Sequence, residues 1–360
     1  MPRRTSVVAS DAMPPGFTRR TFLRGAGGAA IVFVASGPVR SLASMVMSEA
    51  GAPAGFSVGN GTLQFLGYAD QPGARLLRFF VDWDLVQPAP EAWDWSGFAE
   101  LRDFCAKHEI SASPVLTGCP NWLAADGDSG FPGYPDGHEA LNRFAEFAVS
   151  TGRFFSGYGC DLGSLEVWSS PNAEKSSRPV QDPKAFARLT QSVSLFLGAP
   201  VYEYESYPLP TAGPVVVDGG GAWEEFAIEL ESGEQPYIPG VRPRLDADDS
   251  DSETPLTPEA AVETAEKLVA KAVEVFRQPK LSVVIGVASS RCGGPAGQAD
   301  VLAAVTRSLS HDERCKQLVV GPIGDTEAYE GVFGTEDYGL LDEEGQPRPA
   351  IAKVSSAWRG

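Results

Sequence analysis

The chain has 360 residues, enough for one large domain or two modest ones, and its 43% hydrophobic and 21% charged residues describe a folding chain rather than a disordered one. Its 29 lysines and arginines stand against 47 acidic residues, a formal charge of -18. Nucleic acid and anionic membrane surfaces are therefore disfavoured as partners, because both repel such a charge.

In chain order the first feature is "TRRTFLRGAGGAAIVFVASG". The Arg19-Arg20 pair, followed by Phe22, Leu23 and a mildly apolar Ala/Gly stretch, resembles a twin-arginine export signal. The apolar run is short and diluted by glycine, so stable membrane insertion is not expected once the signal is removed. Residues 1–45 are read as this signal region, with cleavage near Ser41 to Met45 and a destination outside the cell or in its envelope. Cys105, Cys119, Cys160, Cys292 and Cys315 are too scattered for a disulfide framework, although one or two bridges stay open to an exported chain. His108, His138 and His311 lie far apart in sequence, so neither a histidine metal site nor a cofactor is expected.

The mature chain then alternates strand-like and helix-like runs. "ARLLRFFVDW" (74–83) reads as a buried strand. "WDWSGFAELRDFCAKHEI" follows with Phe98, Leu101, Phe104 and Cys105 at helical spacing and Asp94 or Ser96 as caps. "SASPVLTGCPNW" (111–122) is strand-like, and "GHEALNRFAEFAVSTGRFF" (137–155) predicts an amphipathic helix. "LGSLEVW" (162–168) predicts a strand, and "DPKAFARLTQSVSLFLG" (182–198) a helix opened by Pro183. "APVYEYESYPL" (199–209) and "GPVVVD" (213–218) are both strand candidates, and "EEFAIELES" is a short helix candidate. Residues 233–257 look irregular, and "DADDSDSE" holds five acids in eight residues. That acidic insertion reads as a solvated loop, because it lacks the spacing of a calcium loop. Thr257 and Pro258 open a helix that Pro279 stops. "KLSVVIGVASS", "AGQADVLAAVTRSLS", "KQLVVGPIGD" and "PAIAKVSSAW" complete the alternation.

Strand-helix alternation at this period predicts an α/β protein, a single (β/α)8 TIM barrel over residues 56–354. A doubly wound sheet is the runner-up, but no Gly-x-Gly-x-x-Gly follows the first strand. In a barrel, ligand-facing residues gather at the carboxyl ends of strands. Trp83, Trp122 and Trp168 fall at three successive ends, and aromatic faces there suit sugar rings.

The order of these pieces resembles the glycoside hydrolases of the (β/α)8 superfamily that use two glutamates, in the β-xylosidase and endoglycanase-like branch. "RFFVDWDLVQPAPEAWDWSGF" is like the second-strand Arg, Trp and Gln-Pro segment, and "SPVLTGCPNWLA" like the third-strand Thr-Pro-x-Trp segment. "LEVWSSPN" is like Trp-Asn-Glu-Pro-Asn, and "DYGLLDEEGQPRPAIAKV" like the common tail. The resemblance implies a saccharide cleft with Arg78 supporting a nucleophile, Trp122 lining the sugar site and Trp168 preceding the catalytic pair. Asn172 would close the motif, with His138 as a further polar contact.

Both catalytic carboxylates are missing from that pattern. The family's Asn falls on Ser169 and its acid/base Glu on Ser170, and a serine has no useful acidity near neutral pH. The nucleophile position falls on Gly286 or Val287, and the run from Leu281 to Ser290 holds no carboxylate in any register. Glu166 shares strand parity with Ser170 but lies four residues earlier, roughly 13 Å deeper at strand spacing. It reads as a buried carboxylate paired within the barrel, with Arg78 as candidate partner. Glu203 and Glu205 are the candidate relocated acids, followed by Asp325, Glu327, Glu336 and Asp337.

The expectation is an exported, glycosidase-like barrel that has lost hydrolysis and binds an oligo- or polysaccharide. An active glycosidase using relocated acids and a scaffold for a protein partner remain open. A Ser-His hydrolase is weaker, because no Gly-x-Ser-x-Gly elbow surrounds Ser169 or Ser170.

Overall fold

The computed structural model describes residues 52–58, 66–123, 135, 137–173, 182–198, 207–246, 254–324, 337–342 and 344–359. Eight parallel strands close into one barrel in sequential order. They are β1 (Ala54–Val58), β2 (Leu76–Asp82), β3 (Ser111–Thr117), β4 (Glu166–Val167), β5 (Thr211–Val217), β6 (Ile238–Pro243), β7 (Leu281–Ile285) and β8 (Cys315–Val320). The principal helices are α1 (Ala99–His108), α2 (His138–Ser156), α3 (Pro183–Leu197), α4 (Glu224–Glu231), α5 (Pro258–Phe276), α6 (Pro295–Ser310) and α7 (Pro349–Ala357). This is the (β/α)8 barrel expected from the alternation.

Local chemistry explains several boundaries. The Asp182 carboxylate accepts from the Lys184 and Ala185 amides at 2.9 and 3.1 Å, and Pro183 occupies the first turn of α3. Thr257 caps α5 through the Ala260 amide at 3.3 Å. Asp94 accepts from the Ser96 amide at 2.9 Å where the chain turns towards α1.

Strand parity divides the side chains. On β2, Phe79 meets Phe155 of α2 at a centroid distance of 5.1 Å, so this parity faces the helices. The other parity carries Leu76, Arg78, Phe80 and Asp82 into the barrel. Leu76, Val284 and Val319 form a small buried cluster apart from the main core, on strand positions in register with one another. Gln317 donates to Ser282 and Ser164 at 2.6 and 3.3 Å, a small polar network inside the barrel.

Two elements depart from the reading of the sequence. The fifth strand is Thr211–Val217, so Glu203 and Glu205 do not belong to it, and residues 199–206 lie outside the described residues. β6 falls inside the stretch that looked irregular, because "IPGVRP" carries two prolines and a glycine yet is buried throughout. The signal region 1–45, residues 247–253, and Asp325, Glu327 and Glu336 also lie outside the described residues. Among the described residues no helix is long and apolar enough to cross a membrane.

Candidate functional site

β4 supplies the centre of the barrel mouth, and it is only two residues long. Beyond it the Trp168 amide still donates to the Leu116 carbonyl of β3 at 3.0 Å. The chain then leaves strand geometry, with φ of 63° at Trp168 and 49° at Ser170, a backbone region that side chains seldom occupy. Gly213 of β5 makes this path possible: a Cβ there would lie 2.0 Å from the Trp168 carbonyl oxygen. Asn172 then fastens the loop. Its amide donates to the Val216 carbonyl and accepts from the Val216 amide, both at 2.8 Å, in place of a neighbouring strand.

Arg78 lies beneath this loop with a relative exposure of 2%. Its Nε donates to Glu166 Oε2 at 2.8 Å and a terminal nitrogen donates to Glu166 Oε1, a two-point ion pair. Ser57 and Ser169 each accept from the same guanidinium at 3.0 Å. Burial raises the Glu166 carboxyl above the usual carboxylate range, and the Arg78 charge opposes that rise. At 1% exposure, Glu166 is sealed from any ligand at the mouth in this arrangement. Ser169, not Ser170, meets Arg78. Ser170 is fully buried, and its hydroxyl finds no hydrogen-bond partner among the described residues.

The β7 side is different in character. Gly286, Val287 and Ala288 follow the strand end and are all buried. Gln298 of α6 donates to the Val287 carbonyl at 2.9 Å, which fixes the backbone there. Asp337 lies close by, but its carboxylate accepts from the Ser290 amide at 2.6 Å and so holds the turn after β7. Among the described residues, Asp337 is the carboxylate seen at this strand end, and it is engaged by the Ser290 amide.

The aromatic contacts need correction. Trp83 is not a cleft residue: it has the parity of Phe79, is 0% exposed, and stacks on Phe147 of α2 at 5.6 Å. Its indole N–H donates to Gln87 Oε1 at 2.7 Å, while Gln87 Nε2 donates to the Pro90 carbonyl at 2.7 Å. Gln87 therefore ties the Gln-Pro segment to the core, a role the sequence reading did not assign. Trp168 is buried too, and the αL backbone turns its ring towards Phe144 of α2, at 6.5 Å between centroids. Trp122 is half-buried; its indole donates to the Gln87 carbonyl at 2.9 Å and its ring meets Trp83 edge-on. His138 is exposed at the start of α2. Among the expected saccharide contacts His138 is exposed, and Trp122 and Asn172 are half-buried, with the Asn172 amide committed to Val216.

One mouth residue was missed. Asp82 ends β2 on the parity of Arg78, is half-buried, and accepts from the Thr117 hydroxyl at 2.7 Å. Two-residue periodicity from Arg78 through Phe80 was the available signal. Among the described residues no group of three or more His, Cys, Asp or Glu side chains is placed to hold a metal ion.

No family model and no curated protein matches the chain. Solved structures do share its fold. A GH5_18 protein from Streptomyces cattleya, in complex with Manβ1-4GlcNAc, superposes with a TM-score of 0.63 at 15% identity, over 86% of this chain and 80% of that one. A monomeric β-xylosidase from Caulobacter crescentus gives 0.60 at 17% identity, over 85% and 68%. A glucosidase from Croceicoccus marinus gives 0.57 at 11% identity over 82% of this chain, which spans 63% of the glucosidase's length. These likenesses establish the (β/α)8 barrel fold.

Proposed function

We propose that this chain is a non-hydrolysing member of the glycosidase-type barrels that binds a saccharide at its carboxyl-terminal mouth, after export through the twin-arginine route. One observation carries the loss of hydrolysis. Both positions that match catalytic carboxylates are buried residues without a carboxyl group, Ser170 on one wall and Gly286 or Val287 on the other. The nearest carboxylate below the β4 loop, Glu166, is locked to Arg78. A glycosidase needs one carboxyl to protonate the leaving oxygen and a second to attack or to activate water. The half-buried Trp122 ring, the exposed His138 and the Asp82–Thr117 pair support saccharide recognition at the rim. The Arg19-Arg20 signal supports export.

The experiment is a glycan-binding array and hydrolysis assays on one panel, with wild type and Trp122→Ala. Binding without turnover, weakened by Trp122→Ala, is expected; an empty array refutes the saccharide reading.

Asp82 favours a second reading, an active glycosidase with relocated acids, since it places one carboxylate at the mouth. Turnover that disappears in Asp82→Asn would establish that reading instead.

A further inference from the structure

Five thiols are buried in this chain, and two of them are neighbours. Cys105 lies on the inner face of α1, at 0% exposure. Cys160 lies between α2 and β4. Both are anchored to the start of β3: the Cys105 carbonyl accepts from the Ile110 amide at 3.0 Å, and Asp161 O accepts from the Ala112 amide at 2.7 Å. The Gly163 amide returns to the Ala112 carbonyl at 2.8 Å. With both segments held against the same edge, the two buried thiols lie close enough to influence each other, while the Cys160 thiol donates to the Asp161 carbonyl at 3.6 Å.

From this placement we infer that Cys105 and Cys160 are a disulfide-forming pair, which closes under oxidation and staples α1 to the chain entering β4. The inference is independent of the saccharide reading.

The two sulfurs are unequal in a way that sets the order of events. The Cys105 thiol beside it draws the Cys160 thiol below its ordinary range, with the Ala112 amide and the Arg102 guanidinium adding to the effect against burial and Asp161. The same closeness pushes the Cys105 thiol up, and burial adds to the rise. Cys160 is also the reachable one. Residues 156–159 and Asp161 on either side of it are exposed, so a small opening of this loop uncovers it. The lower-pKa thiol is the larger source of thiolate, the attacking species in exchange.

With a low-molecular-weight disulfide such as glutathione disulfide as oxidant, the Cys160 thiolate attacks one sulfur and expels one glutathione thiolate. Cys105, deprotonated as the first bond forms, then attacks Cys160 Sγ and expels the second. One protein disulfide and two glutathione thiols result, the two cysteine protons ending on glutathione. The bridge closes a loop of about 55 residues containing β3 and α2, enough to stabilise the barrel measurably if the geometry is unstrained.

The test uses the full chain, folded, with glutathione disulfide, followed by denaturation, alkylation and digestion without reduction. A linked Cys105–Cys160 peptide is expected, with two of the five thiols lost. Cys105→Ser, which lacks the second attacker, should stop at a glutathione adduct on Cys160. Cys160→Ser should keep Cys105 free. Five alkylatable thiols after oxidation, or Cys160 bridged to another cysteine, overturns the inference.

Discussion

The two walls of the barrel mouth, at the ends of β4 and β7, differ in kind. On the β4 wall the unusual backbone persists: Trp168 and Ser170 stay left-handed, Gly213 lets the chains approach, and Asn172 clamps β5. On the β7 wall, among the described residues, Gly286, Val287 and Ala288 are buried in ordinary backbone, with Gln298 bonded to the Val287 carbonyl. Residues of the first wall also hold the fold together. Arg78 neutralises Glu166, and the Asn172 amide satisfies the Val216 backbone. Ser170, Gly286 and Val287 are buried and carry no such structural task through a side-chain hydrogen bond among the described residues.

That contrast can be broken by substitution. Arg78→Met leaves Glu166 as an uncompensated buried charge and should cost about 3–5 kcal/mol in urea unfolding, whereas Arg78→Met with Glu166→Leu should recover most of it. A single variant no worse than the double would show that the ion pair does not organise the wall. Val287→Glu should cost about 2 kcal/mol or more, since Val287 is buried and a carboxylate there would be taken out of water. Tolerance of that glutamate would mean the β7 end is more open than its burial indicates. Asn172→Ala removes both bonds to Val216 and should cost about 1–3 kcal/mol by thermal or chemical unfolding. The smallest effect belongs to Ser170→Ala. Its hydroxyl has no partner among the described residues, so stability should change by about 0.5 kcal/mol or less, in either direction. A larger loss would give Ser170 a structural task.

Most of the barrel was legible, because strand-helix alternation and the caps at Asp182 and Thr257 are local signals. β6 was not, since prolines and an arginine in "IPGVRP" defeat both propensity and alternation, and only closure of the barrel makes that segment a strand. The Glu166–Arg78 pair followed from parity and was correctly expected. Parity carried one residue further would also have turned Trp83 towards α2 and Asp82 towards the mouth. Trp168 defeated parity altogether. The strand ends one residue before it, and a left-handed backbone turns its ring out to the helices.

The most direct test of the proposed loss of hydrolysis is turnover itself. Purified full-length protein at high concentration, incubated with aryl glycosides and with every oligosaccharide that the array retains, should release no product above a no-protein control across pH 4 to 8. Stoichiometric binding should persist throughout. Catalytic release of sugar that co-purifies with the protein and falls in Asp82→Asn would contradict it, and would make the mouth an active site built on other acids.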